Sequence, residues 1–260
     1  MDKEALVYVD LQGKPHLVGR LWTRMRKDRE SATFEYDSRW LAHPERFSLE
    51  PALKLGPGPF HTPSDRPLFG AIGDSAPDRW GRVLMRRSER RRAEREGQTP
   101  RALREIDYLL RVDDEARQGA LRFAEREGGP FLAGPGPTKI PPLVELPQLL
   151  SAAEHVLSGA DTDEDLLLLL APGSSLGGAR PKASVRDRDG HLAMAKFPSK
   201  EDEVNTVLWE AVALTLAKKA GIAALAGAIR RGKVTLLFGA RDPDHNNAMA
   251  LFSYLDRVLE

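Results

Sequence analysis

The sequence predicts an α+β protein, on three observations. Residues 5 to about 60 are dominated by β-forming runs. Apolar residues then recur at helical spacing from about 75 to 112, and again from about 145. A glycine-rich turn near residue 177 returns the chain to two short apolar runs before one long amphipathic segment.

Taken in order, Ala5-Leu6-Val7-Tyr8-Val9 and Leu17-Val18-Gly19-Arg20-Leu21-Trp22 flank the turn Gln12-Gly13-Lys14 and read as a hairpin. A helix follows from about 75 to 95, opened by Asp74 or Ser75 with Pro77 in its first turn, and another spans about 101 to 112. The prolines and glycines from Gly128 to Pro142 forbid regular structure and mark a linker. Helices are predicted at about 145–158 and 162–170, and strands at Ala183 to Arg186 and Leu192 to Phe197. The helix from about 203 to 220 is expected to bury Val204, Val207, Leu208, Ala211, Val212 and Leu216. A strand, Lys233 to Phe238, and a terminal helix, Ala248 to Leu259, complete the chain without any internal repeat.

Composition narrows the function classes. At 41% hydrophobic and 30% charged, the 260 residues are ordinary globular material, long enough for one large or two smaller domains. Zero cysteines exclude disulfides, thiolate metal sites and a cysteine nucleophile. The six histidines show no metal-ligand spacing, so no metal site is expected from the protein's own residues. The N-terminus has no signal core, and the longest apolar run, Leu166 to Ala171, falls short of the ~20 residues a membrane helix needs. A cytoplasmic protein without membrane contact is expected. A net charge of +1 exerts no global pull on nucleic acid.

Charge is nevertheless clustered. Arg86-Arg87 and Arg90-Arg91-Arg92 interleave with Glu89, Glu94 and Glu96. Two readings are open: a basic face in which Arg90, Arg91 and Arg92 meet an acidic partner or DNA phosphates, or a solvated helix laced with ion pairs four residues apart.

The chemistry-bearing stretch is Ser174-Ser175-Leu176-Gly177-Gly178-Ala179-Arg180-Pro181-Lys182. Glycines let a backbone approach phosphate oxygens, so that its N–H groups can cradle negative charge. Lys196, amid apolar neighbours on a following strand, would supply a point charge, and Glu210, 14 residues on in a helix, would hold that lysine by ion pairing. Each feature alone has a plain reading, a turn or an edge lysine. Their order is that of the phosphate-binding half of a kinase-like site.

Over roughly residues 5 to 222 the chain resembles the HipA family, the kinase toxins of bacterial type II toxin–antitoxin pairs. Three blocks carry the likeness: Leu68-Phe69-Gly70-Ala71 through Asp74-Ser75-Ala76-Pro77-Asp78-Arg79-Trp80-Gly81-Arg82; Asp107-Tyr108-Leu109-Leu110 through Gly119-Ala120-Leu121-Arg122-Phe123; and the glycine loop with Lys196 and Leu216-Ala217-Lys218-Lys219-Ala220-Gly221-Ile222. The resemblance implies a HipA-like N-terminal domain over 1–127, a linker over 128–142 and a kinase-like N-lobe over 143–222. It implies an ATP site using Ser175, Gly177, Gly178, Ala179, Lys196 and Glu210, with magnesium, and autophosphorylation of Ser175. Its partners would be a HipB-like antitoxin, operator DNA reached through that antitoxin, and glutamyl-tRNA synthetase as target.

The family pattern breaks over residues 223–260. A kinase catalytic loop needs an aspartate and an asparagine, with a further metal-binding aspartate. Asp242 with Asn247 has that local spacing, but only 32 positions separate Glu210 from Asp242, too few for a hinge and the helices of a second lobe. No catalytic residue is therefore assigned. Residues 229 to 255 instead look like the C-terminal strand–loop–helix of a small bacterial α/β family of unknown function. The expectation is a kinase toxin truncated before its catalytic loop and inactive. The alternatives are a non-catalytic antitoxin-binding module or a degenerate gene product.

Overall fold

The structure is a computed structural model that describes residues 2–27, 29–132, 140–173, 175–198, 202 and 204–219. The chain divides into two compact units, Met1–Ser199 and Lys200–Glu260. The first unit mixes strands and helices, in agreement with an α+β class.

Strands β1 (Lys3–Leu11), β2 (Lys14–Arg26) and β3 (Arg29–Tyr36) form an antiparallel meander, extended by β4 (Pro59–His61) and β5 (Leu121–Ala124) in the order β4-β3-β2-β1-β5. The β1–β2 turn is the predicted one. Gln12 and Gly13 both have positive φ, 53° and 80°, as a tight two-residue hairpin requires, and Asp10 Oδ1 accepts from the Gly13 amide at 2.7 Å. Residues two apart share a face, so Ala32, Phe34 and Tyr36 of β3 all enter the core beneath the sheet. Phe34 meets Tyr36 and Phe69 edge-on, with centroids 5.0 and 6.4 Å apart. Gly19 of β2 lies so close to the Phe34 ring and the Glu35 carbonyl that no side chain fits there.

Beyond β3, Asp37 caps the short helix α1 (Ser38–Leu41). The irregular stretch that follows is held by the Tyr36 hydroxyl, which donates to the Leu53 carbonyl at 2.6 Å and accepts from the Leu49 amide at 3.1 Å. The Ser48 hydroxyl also donates to the Leu53 carbonyl. Glu50 then accepts from the Ala71 amide at the start of α2 (Gly70–Gly73).

The arginine-rich helix α3 is Arg79–Arg95, with Asp78 as N-cap, so it starts later than the sequence predicts. The amides of Ser75 and Ala76 bond back to Ile72 and Gly73, closing the preceding turn, and Pro77 stands outside the new helix. Helix α4 (Glu105–Leu110) is likewise shorter than the predicted 101–112. It serves two cores: Ile106 and Leu109 face the sheet core, while Tyr108 faces a second one, which Val112 joins from just beyond the helix.

That second core also contains Trp80, Leu84 and Met85 of α3, Leu149 and Val156 of α5 (Leu146–Ser158), Leu166 and Leu169 of α6 (Asp163–Gly173), and Ala183 and Val185 of β6 (Lys182–Arg186). It therefore draws on residues from both sides of the Gly/Pro-rich segment 128–142, of which 133–139 lie outside the described residues. β6 pairs antiparallel with β7 (Leu192–Lys196).

In the second unit, α7 (Thr206–Lys219) forms where expected. Its predicted burial does not hold: Leu208 is 60% exposed, Leu216 49% and Val212 38%, Ala211 is exposed, and so is Val204 just before the helix. Helical spacing establishes that apolar residues share a face; it does not supply something to cover that face. The side chain of Val207 lies outside the described residues, as do residues 220–260, which include the predicted tail strand and terminal helix and the Asp242–Asn247 spacing.

Candidate functional site

The glycine loop leaves the C-terminal end of α6 and enters β6, packed against the start of α3. Ser175 is buried, and its hydroxyl donates to the Ala116 carbonyl. Leu176 is also buried, whereas Gly177, Gly178 and Ala179 are exposed. Gly178 has φ +92°, a left-handed conformation that favours glycine.

Three hydrogen bonds fasten this loop to α3. The Gly178 amide donates to Asp78 Oδ2 at 2.6 Å, the Trp80 amide donates to the Gly178 carbonyl at 3.2 Å, and the Trp80 indole donates to the Lys182 carbonyl at 3.0 Å. Trp80 is itself 2% exposed. Gly173, at the end of α6, allows this approach: a Cβ there would stand 3.2 Å from the indole nitrogen and 3.0 Å from Leu84. From the other side, Lys182 Nζ donates to the Gly177 carbonyl.

Arg117, next in sequence to the Ala116 that accepts from Ser175, donates through its guanidinium to the carbonyls of Ser75, Leu109 and Val112 at 2.9–3.0 Å. Burial lowers its pKa to about 10, the acids Asp114 and Asp113 opposing that shift. Nearby, Glu115 pairs with Arg186 of β6, tying the same turn to the hairpin.

Lys196 lies on β7 directly across from Lys182 and is exposed, whereas Lys182 is 7% exposed. The hairpin thus presents two lysines side by side next to the loop. Glu210 is half-buried on α7 and belongs to the second unit, while Lys196 belongs to the first.

The arginines of α3 are largely engaged inside the molecule. Arg87 and Arg91 converge on the buried Asp161, and Arg92 bridges Glu89 and Glu96 at 2.7 and 2.6 Å. Glu89, 3% exposed, also meets Arg111 at 2.9 Å and Arg101 at 3.3 Å. Burial pushes the Glu89 carboxyl up, but its bonds to Arg92 and Arg111 outweigh this and hold it below the usual range. Arg90 is exposed.

Two features escaped the sequence reading. An open groove of about 680 Å³ on the sheet is lined by Leu6, Arg20, Trp22, Asp37, Arg39 and Glu127, among others. Arg39 there bridges Asp37 at 2.9 Å and Glu127 at 2.5 Å, holding both carboxyls below their usual range. At the β6–β7 turn, Asp187, Asp189 and His191 place ligand atoms within 4.8 Å of one another, the one such group among the described residues. Asp187 Oδ1 there already accepts two backbone amides at 2.9 Å. The more consequential omissions are Asp78 and Lys182 as loop contacts. Asp78 stands 100 positions from Gly178, a link that nothing in a linear sequence marks, whereas Lys182 is only five positions from the Gly177 it contacts.

Chemically, the loop's Gly178 amide is already bonded to an anion, the Asp78 carboxylate, so its donor chemistry suits a phosphate oxygen. Two adjacent lysines supply positive charge. The residues present therefore fit the phosphate groups of a nucleotide. The loop shows no ready-made cluster of three metal-ligating side chains among the described residues.

Residues 9–106 match the family model described as the HipA N-terminal domain. The match runs from within β1 to within α4 and includes Asp78 and Trp80, while the glycine loop lies beyond it. No curated protein matches the chain. No helix among the described residues is long and apolar enough to cross a membrane.

Proposed function

We propose, from the premise that this chain carries a HipA N-terminal domain, that it is a HipA-type component of a toxin–antitoxin pair, which engages a HipB-like antitoxin and takes ATP phosphates at its glycine loop. The match over residues 9–106 carries this reading. The loop supports the nucleotide part, because its exposed glycines, its anion-bonded amide and the Lys182–Lys196 pair combine the donors that phosphates require. Lys196 would face the phosphates. In the family that the chain resembles, ATP with magnesium supplies a phosphoryl group to a serine of a target such as glutamyl-tRNA synthetase.

These 260 residues contain no segment read as a catalytic loop. Positioning and metal electrostatics carry most of phosphoryl-transfer catalysis, so this polypeptide alone is expected to bind nucleotide without transferring phosphate. The test pairs two measurements on the purified chain. Calorimetry with a HipB-like antitoxin should show heat and a co-eluting complex, and incubation with Mg-ATP should leave Ser175 unmodified by mass spectrometry. A folded protein that forms no complex sinks the toxin–antitoxin reading. Phosphoserine at Ser175, abolished by Lys196→Ala, would replace the inactive reading with an active kinase.

A further inference from the structure

The contact between Asp78 and the glycine loop has an unusual distribution of hydrogen bonds. An aspartate at an N-cap ordinarily accepts from the second or third amide of its own helix. Asp78 makes no such bond; its Oδ2 reaches Gly178 instead, and the Trp80 amide of α3 is satisfied by the Gly178 carbonyl. Helix end and loop have exchanged partners. The exchange is reversible in principle, because each group has a second partner of the same chemistry: the carboxylate can cap α3, and the loop amide can take another anion.

We propose that Asp78 is an internal competitor for the anion site of the glycine loop, so that phosphate binding requires the carboxylate to leave Gly178 and cap its own helix. This deepens the nucleotide-binding reading and rests on it. Gly177 and Gly178 make the contact possible: a Cβ on Gly177 would stand 3.2 Å from Asp78 Oδ2, and one on Gly178 would stand 2.8 Å from Lys182 Nζ. The contact is exposed, so solvent and ligand both reach it. A closed fraction near nine-tenths weakens apparent affinity about tenfold, since only the open form binds.

The experiment compares wild type, Asp78→Asn and Asp78→Ala, using Mg-ATP and inorganic tripolyphosphate as calorimetric probes. Amide shifts and hydrogen exchange at Gly178 and Trp80 are followed by NMR. Removing the competing charge should tighten binding of both probes about tenfold, more for Ala than for Asn. In wild type, saturating tripolyphosphate should shift both the Gly178 and Trp80 amides, as the partners exchange. Asn preserves shape and cap capacity, so it remains informative if Ala does not fold. A merely structural role for Asp78 gives the opposite sign, with weaker binding in both variants, and overturns the proposal while leaving the nucleotide site standing. Equal affinities do the same. Failure of all three proteins to bind either probe overturns the nucleotide reading and this proposal with it.

Discussion

The core beneath the sheet collects residues from strands that follow one another in sequence, such as Val7, Leu21 and Phe34, joined by short turns. The core that carries the glycine loop is assembled differently. Trp80, Leu149, Leu169 and Val185 come from four separate elements, and its hydrogen bonds link positions about 100 apart. The contrast teaches where the glycine loop gains its shape. The sheet core is specified by local hairpins, whereas the loop's conformation is imposed by a helix distant in sequence, inside the span that matches the HipA N-terminal domain.

The largest test of that contrast is a matched pair of truncations. Phe34→Ala and Trp80→Ala should each cost about 3–5 kcal/mol of unfolding free energy. Because α4 contributes to both cores, both variants should lower one shared urea midpoint. Two separate transitions would show that the cores are independent. Trp80→Ala should additionally speed hydrogen exchange at Gly178 and in β6, which Phe34→Ala should not do before global unfolding.

A smaller effect is expected from acid. Burial pushes the Asp107 carboxyl up, but Lys3 at 2.5 Å and the Arg104 amide at 2.9 Å outweigh it and hold its pKa below the ordinary value; Glu89 is lowered likewise. A depressed folded-state pKa gives stability that is fully present above the unfolded value, about 4, and is lost as pH falls through the folded one. Asp113 and Glu30 are raised by burial and have the opposite sign, as their protonation favours the fold. Asp107→Asn should cost about 1.5–3 kcal/mol at neutral pH and flatten the acid limb of the stability profile. An unchanged limb would reassign the acid sensitivity.

The smallest effects separate the three arginines proposed to meet a partner. Arg90→Glu should change stability by no more than about 0.5 kcal/mol, because Arg90 is exposed. Arg91→Glu and Arg92→Glu should cost about 1 kcal/mol or more, since they oppose the buried Asp161 and Glu89. Arg90→Glu is therefore the clean probe of antitoxin association, whose on-rate and salt dependence should fall if that face steers the partner.

What could be read from sequence follows the same division. The Gln12-Gly13 turn, its two flanking strands and the helical runs at α3 and α5 are local signals, and they appear close to where expected. The start of α3 was misplaced because Pro77 serves equally well in a first turn or just before a cap, and long-range bonding to Gly178 decides between them. The glycine loop was visible as composition, yet its anchors Asp78 and Trp80 carry no local mark of that role. The exposure of α7 was equally unreadable, since periodicity defines a face without its neighbour.

The stretch between α1 and β4 has little regular structure, yet a single phenol from outside holds two of its backbone groups. Tyr36, rooted in β3, offers its hydroxyl to the Leu53 carbonyl and the Leu49 amide, both backbone groups that persist whatever side chains the loop carries. Such an arrangement frees the loop to drift. Substitutions at exposed positions such as Pro51, Ala52 or Lys54 leave the anchor intact, so this surface can diversify between related proteins while the sheet beneath it stays constant.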